Sequence, residues 1–552
     1  MNQQIISFCG QKGILLDKQI LDLFVNISED LGDINIIKNV IEHIELKYKQ
    51  RVITKSFFLN NPNKLKEILL NYNENTQNIL LNYFKLIGIE IKLKTSKFEK
   101  PQISVVNSDS LVNFLKIYQT VPKKIEVDDF VKNLRNRFIV LKNILQQRVE
   151  LDNLTSINKI NESKNYSIIG LVYNKKVTKN DNILLEVEDL TGKITVLINK
   201  NREDVFEKSK EILLDEVIGL KCSGSKEILF VNDIIFPESR LTEKKKSNFD
   251  ESIAFISDIH VGSKKFLEKN FLKFINWING NIGSDKQRQE ALKVNFLFIT
   301  GDTIDGVGVY PGQERELDIE DVNEQYKKLT ELLLKIRPNI KIIMCAGQHD
   351  AVRVAEPQPI IGEWYGNSLY MIPNLNLVTN PSLIEVGSDV KFKVLMYHGA
   401  SMHGIIDSID KLRLNRGQDH PTEVVKFMLK KRHLAPSHSL TTYTPSDKED
   451  PLLILDLPDI VSTGDLHRPE VSDYNGILLV SSSCWQSKTA FEEKVGNDPD
   501  PCKVPIFNLK TREVKILDFS ENCDNNDYNS EKNCEENIDE SKQKENKLII
   551  GE

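Results

Sequence analysis

Asp258 and His260 stand two residues apart in "FISDIH", and Asp465 and His467 repeat that spacing in "TGDLH". Carboxylate oxygen and imidazole nitrogen both ligate divalent cations. In an extended chain, residues i and i+2 point to one side, so each pair is expected to grip one object together. Three further apolar runs end in the same kind of residue. "VNFLFITGDTID" closes on Gly301 and Asp302, "IKIIMCAGQHDAVR" on Gly347, Gln348, His349 and Asp350, and "KFKVLMYHGAS" on His398 and Gly399. One Asp-x-His alone reads more readily as a hydrogen-bonded pair at a strand end. Five strand ends carrying ligand-type side chains predict a two-metal site. Two divalent cations about 3.5–4 Å apart share a carboxylate and a water, and lower the water's pKa until it attacks phosphorus as hydroxide. An acid that is not a ligand must then protonate the leaving oxygen, and His349 is the expected donor. The ligand types suit Mn²⁺, Fe²⁺ or Zn²⁺, and the lack of Cys ligands argues against a structural zinc site.

Such residues need strands that deliver them to one edge. From 251 to 519 the sequence alternates buried strands with amphipathic helices such as "KKFLEKNFLKFINWING" and "EDVNEQYKKLTELLLKI". In an open α/β sheet, the loops at the carboxyl ends of the strands form the site, and glycine permits sharp turns there. Residues 165–239 differ. Five short strand-like runs, from "YSIIGLVYNKKV" to "ILFVNDIIFP", predict a closed all-β barrel of the OB type, read as an interaction module because its strands lack basic-aromatic interleaving. Residues 1–95 carry helical periodicity, as in "LDKQILDLFVNI", where Leu16, Ile20, Leu23 and Phe24 share a face, and are expected to form a small helical domain. Residues 96–160 read as a linker with a helix near 127–150, 240–250 as a charged linker, and 520–552 as a disordered acidic tail.

At 552 residues the chain is too long for one core, so a multidomain protein is expected. A net charge of −7 argues against coating nucleic acid by charge alone, leaving local patches, a metal site or a partner chain for any DNA contact. No apolar run is long enough to cross a membrane, so no membrane partner is expected. The N-terminus shows no secretion signal, and the seven Cys form no C-x-x-C pair, which together predict reduced thiols and a cytoplasmic protein.

The segments "SDIH", "TGDTID", "AGQHD", "YHGAS" and "TGDLH" resemble, in order, the five motifs of calcineurin-like metallophosphoesterases. Longer stretches, among them "YPGQERELDIEDVNEQYKKL", "HDAVRVAEPQP" and "KEDPLLILDLPDIVSTG", resemble the small subunits of the archaeal family D DNA polymerases. The likeness spans residues 165–519. It implies an α/β two-sheet sandwich flanked by helices, behind the barrel and the helical domain. It also implies a 3′→5′ exonuclease subunit of a heterodimeric replicative polymerase, whose large subunit polymerises, acting on single-stranded or mismatched 3′ ends of DNA. By position, Asp258, His260, Asp302 and His467 hold one metal; Asp302, Gln348, His398 and Asp465 hold the other. Mn²⁺ is the first expectation, with Mg²⁺, Fe²⁺ and Zn²⁺ as alternatives. The chain departs from the family pattern twice, with Gln348 in place of the usual Asn and Asp465 in place of the usual His. Both keep an oxygen ligand. The alternative role is a weak or inactive assembly subunit that scaffolds the large one.

Other residues keep two readings. Arg353 either holds a DNA phosphate or pairs within its loop, and His403 either contacts substrate or packs at the surface. "KKRH", 430–433, reads as a DNA contact or a solvated charge run. Trp485 reads as core, and "EKKK", 243–246, as solvated linker.

Overall fold

A computed structural model describes residues 2–31, 34–48, 51–60, 80, 83–84, 111–118, 124–161, 164–446 and 448–520. The chain divides into two compact units, Met1–Asn107 and Ser108–Glu552. The acidic tail expected after 520 lies outside the described residues.

The first unit contains the helices Asn2–Lys12, Lys18–Leu31, Ile34–Tyr48 and Lys55–Asn60. Its core takes Ile20, Leu23, Phe24 and Ile27 from the second helix. Leu16, expected on that helical face, precedes the helix in a two-residue strand that pairs with Val52–Ile53.

In the second unit, strands Lys164–Val177, Ile183–Asp189, Gly192–Ile198, Leu229–Ile235 and Val217–Gly224 close, in that order, into a barrel. Alternate residues point inward: Ile183, Leu185 and Val187 face Ile194, Val196 and Ile198. The helix Val127–Leu145 lies in the expected place, but its surroundings are no linker. Phe138, Leu141 and Leu145 pack on Ile169, Leu171 and Val217 of the barrel. A strand, Val112–Ile117, also appears where a linker was expected, pairing with Ser382–Val386. The basic run at 243–246 is likewise pinned: Lys245 Nζ is 2.8 Å from Asp459 Oδ2, and Lys244 pairs with Asp473 at 3.3 Å.

Two six-stranded sheets follow. The first runs Leu375–Val378, Lys341–Cys345, Val294–Thr300, Ser252–Ile256, Lys503–Asn508, Val514–Asp518, with its first four strands parallel. The second runs Glu470–Tyr474, Ile477–Ser481, Ile460–Thr463, Phe392–Met396, Ser382–Val386, Val112–Ile117. Parallel strands covered on both faces must be apolar throughout, which explains the continuous runs in the sequence. Ile253 and Phe255 face the other sheet, against Val394, Met396 and Ile460. Ala254 and Ile256 face the outer helices Glu268–Ile278 and Val322–Leu333, through Phe271, Phe274, Tyr326 and Leu329. Trp485 is buried in that same layer, its ring 4.9 Å from that of Phe271, as expected of a core residue.

Candidate metal centre

The strands Ser252–Ile256, Val294–Thr300, Lys341–Cys345, Phe392–Met396 and Ile460–Thr463 each stop two or three residues before the first side chain that could do chemistry. The turns that follow bring Asp258, His260, Asp302, Gln348, His349, His398, Asp465 and His467 together. Asp258 and His260 are not on an extended segment. Both have left-handed backbone, with φ of 50° and 53°, as do Asp302 at 47°, Asp465 at 67° and His467 at 55°. The i, i+2 rule for strands therefore does not explain the Asp-x-His pairs; two successive left-handed turns do. Five such residues in one site, at a cost of order 1–3 kcal/mol each, mark backbone shaped for function.

Glycines allow the approach. A Cβ on Gly347 would collide with the Asp302 carboxylate and lie 2.8 Å from His398 Nε2. One on Gly464 would lie 2.6 Å from Asp258 Oδ2.

Two adjoining pockets result. In the first, His467 Nε2 lies 3.3 Å from Asp258 Oδ1 and 3.4 Å from His260 Nε2. In the second, His398 Nε2 lies 3.3 Å from Asp302 Oδ2 and 3.9 Å from Asp465 Oδ1. It is also 3.9 Å from Asp258 Oδ1, so the pockets touch. Gln348 Nε2 donates to Asp465 Oδ1 at 2.9 Å. The histidines are held from behind. His398 Nδ1 donates to the Thr300 carbonyl at 2.7 Å, and His349 Nδ1 to the Asp305 carbonyl at 2.7 Å. A carbonyl only accepts, so both Nδ1 atoms carry a proton and both Nε2 atoms are turned into the site. Asp350, fully buried, accepts from the amides of Gly347 at 2.9 Å and Thr303 at 3.2 Å, tying two of the loops together.

Burial raises the Asp302 carboxyl, but the imidazoles of His398, His349 and His260 outweigh it and hold Asp302 well below the usual carboxylate range. Burial likewise pushes His398 down, yet the carboxylates of Asp302, Asp258 and Asp465 lift it well above an ordinary histidine. Asp465 is raised by burial, and Asp258 and Asp302 add to the rise. Three carboxylates thus crowd one buried space. Within it, Gln348 Oε1, His398 Nε2 and Asp465 Oδ2 are buried without any hydrogen-bond partner. Buried polar atoms are normally satisfied, and one acceptor each from an amide, an imidazole and a carboxylate is a donor set for a divalent cation. The residues present fit the metals expected from the sequence. Among the described residues, Asp258, His260 and His467 form one compact ligand group, and Asp258, Asp302 and His398 another.

The remaining candidates separate. His403 Nε2 is 3.6 Å from Asp465 Oδ2 with its side chain nearly half exposed, so it stands at the rim. Arg353 spends its guanidinium on its own loop, donating to the carbonyls of Ala355 at 3.1 Å and Pro357 at short range. "KKRH" meets neither reading. Lys430 and Lys431 pair with Glu211 and Glu216 beside the barrel, Arg432 donates to the carbonyls of Ile454 and Leu455, and His433 bonds Asp450. Two carboxylates escaped the sequence reading. Asp305 Oδ1 is 3.1 Å from His260 Nδ1, and Glu492 Oε1 is 2.7 Å from His467 Nδ1. Asp305 follows Asp302 by three residues in "TGDTID", which is a signal; Glu492 offers none.

Residues 253–472 match the family model that describes the B-type subunit of DNA polymerases alpha and epsilon. The chain is 38% identical over 396 residues to the DNA polymerase II small subunit of Methanothermobacter thermautotrophicus, covering 72% of this chain and 80% of that one. It is 36% identical to the DNA polymerase II small subunit of Archaeoglobus fulgidus, with 72% and 78% covered. The structure of an archaeal phosphodiesterase aligns over 48% of this chain and 98% of its own, at 14% identity and a TM-score of 0.22. The matched segment, 253–472, takes in strands of both sheets and the turns that carry the carboxylates and imidazoles. The chain belongs to the DNA polymerase II small-subunit family, that of the archaeal family D polymerases. Among the described residues no helix is long and apolar enough to cross a membrane.

Proposed function

We propose that this chain is the 3′→5′ exonuclease subunit of a heterodimeric, cytoplasmic replicative DNA polymerase, cleaving phosphodiester bonds at single-stranded or mismatched 3′ ends with two divalent cations, Mn²⁺ foremost. The observation that carries this reading is that Gln348 Oε1, His398 Nε2 and Asp465 Oδ2 are buried together without a hydrogen bond, among clustered carboxylates. Each such atom costs about 1–3 kcal/mol when unsatisfied, a cost that bound cations would relieve.

Asp258, His260, Asp302 and His467 would hold one cation, and Asp302, Gln348, His398 and Asp465 the other. When bound, the pair supplies Lewis-acid activation of water and of the phosphate oxygens. His349, half-buried and fixed through Nδ1, presents Nε2 for the leaving oxygen. Its backbone amide donates to Asp302 Oδ1 at 2.8 Å, which ties His349 and Asp302 into one unit. His403 sits at the rim, where a phosphate would enter, and Arg353 keeps that loop in shape. We read the barrel at 165–239 as OB type and, with the outer face of the phosphoesterase domain at 251–519, as the surface that meets the partner; residues 1–95 form a separate small helical domain. The large polymerase subunit is the partner.

The test is digestion of 3′- and 5′-labelled single-stranded DNA with Mn²⁺ by the wild type, Asp302→Ala and His349→Ala. Stepwise loss from the 3′ end in the wild type alone supports the reading. Inactivity in every metal, alone and with the large subunit, leaves the scaffold role.

A further inference from the structure

The two pockets are supported differently. His398, in the pocket with Gln348 and Asp465, leans on a neutral backbone carbonyl, that of Thr300. His260 and His467, in the other pocket, each lean on a carboxylate, Asp305 at 3.1 Å and Glu492 at 2.7 Å. All four residues are buried.

Glu492 divides its oxygens between two tasks. Oε2 accepts from Thr489 N at 2.8 Å and from Thr489 Oγ1 at 3.0 Å, which caps the helix Ala490–Val495. Oε1 takes His467 Nδ1. The cap therefore fixes the carboxylate that fixes the imidazole. The same stretch of chain touches this pocket at three other points. Trp485 N donates to the Asp258 carbonyl at 2.8 Å, Gln486 Nε2 to Asp305 Oδ1 at 3.0 Å, and Asp500 N to the His467 carbonyl at 3.0 Å. Residues 484–500 thus brace one pocket.

We propose that Glu492 and Asp305 are positioning residues that hold His467 and His260 with Nδ1 protonated and Nε2 turned to a metal, so that the pocket of Asp258 binds its cation more tightly than the pocket of Asp465. The proposal rests on the two-metal reading above. A carboxylate accepts only, so it fixes the tautomer; it also makes the far nitrogen a stronger donor. Replacing Glu492 by Gln keeps the shape but lets an amide N–H face Nδ1. The ring proton is then driven to Nε2, where it blocks ligation.

The experiment is Mn²⁺ titration of the full chain, with bound and free ion counted by electron paramagnetic resonance and heats measured by calorimetry. The wild type should bind two ions of unequal affinity. Glu492→Gln and Asp305→Asn should each weaken the tighter one by about 10–100-fold and leave the weaker one unchanged. Thr489→Ala, which removes the hydroxyl but keeps the Thr489 N–H on Oε2 and so the carboxylate on His467, should stay within about threefold of the wild type in both. Equal affinities in Glu492→Gln and wild type overturn the proposal, as does an equal loss in Thr489→Ala. A wild type that binds no Mn²⁺ overturns the two-metal reading itself, and this inference falls with it. Should both carboxylate variants fail to fold, ¹⁵N resonances of labelled histidines in the wild type decide: an Nε2-protonated tautomer at His467 refutes the assignment.

Discussion

Gln348 and Asp465 touch each other, Nε2 to Oδ1 at 2.9 Å, across 117 residues of chain. Resemblance to the calcineurin-like motifs leads one to expect Asn and His at these two positions. The longer amide and the shorter acid meet in one hydrogen bond, so each departure accommodates the other. Restoring only one should break the fit. Gln348→Asn and Asp465→His are each expected to lose about tenfold or more in Mn²⁺ affinity at the second pocket. The double variant should lose less than the sum, with a coupling of about 1–2 kcal/mol, as for residues in contact. Strict additivity in Mn²⁺ titrations would show that the two exchanges are independent.

His349 is fixed through Nδ1, and its Nε2 is free of any ligand role in the proposed site. His349→Ala should therefore lower kcat about 10²–10⁴-fold while two Mn²⁺ remain bound. Single-turnover cleavage together with metal counting checks this. Metal loss in that variant would make His349 a ligand and remove the acid from the scheme.

Gly347 has no room for a side chain, because an added Cβ would meet the Asp302 carboxylate and His398 Nε2. Gly347→Ala should displace Asp302, abolish Mn²⁺ binding and cost about 1–3 kcal/mol of stability by overpacking. Retained metal binding in calorimetry would contradict the packing of this loop against the site.

Most of the site was legible because a strand buried on both faces is written as an unbroken apolar run, and the first residues after such a run stand out. Asp258, Asp302, Gln348, His398 and Asp465 all follow that rule. The backbone that aims them was not legible, since nothing in "SDIH" separates an extended segment from left-handed turns at Asp258 and His260. Long-range pairing was also hidden. Val112–Ile117 is a half-buried edge strand whose partner, Ser382–Val386, lies far along the chain. Glu492 looks like any helix-start acid until His467 is found beside it. "KKRH" looks like a surface run because its partners, Glu211, Glu216 and Asp450, come from elsewhere in the chain.

Lys431 bears on that last point. Its Nζ is 2.7 Å from Glu216 Oε2 with both side chains 2% exposed, and it also lies over the Phe236 ring at 3.7 Å. Breaking a buried pair strands its partner, so Lys431→Met should cost about 3–5 kcal/mol. Lys431→Met with Glu216→Leu should regain most of that loss, which a DNA-contact role would not predict. Urea unfolding of the three chains measures both.

His433 gives the fold a pH dependence of known sign. Burial and the nearby Arg137 guanidinium push its pKa down to about 4, against the opposing pull of Asp450 at 2.9 Å. Asp450 cannot reverse the shift because it also accepts from Arg137 Nε at 2.8 Å and Asn133 Nδ2 at 3.1 Å. An unfolded histidine titrates near 6.5. Above that pH neither state is protonated and the network's contribution is fully present. As pH falls from about 6.5 to 4, the unfolded chain takes up a proton that the folded chain refuses, and stability drops by about 3 kcal/mol. His433→Asn, which cannot titrate, should show a flatter urea midpoint between pH 7 and pH 4.5 than the wild type. Equal slopes in the two chains would place the proton on His433 in the folded state and reverse this reading of the Arg137–Asp450–His433 network.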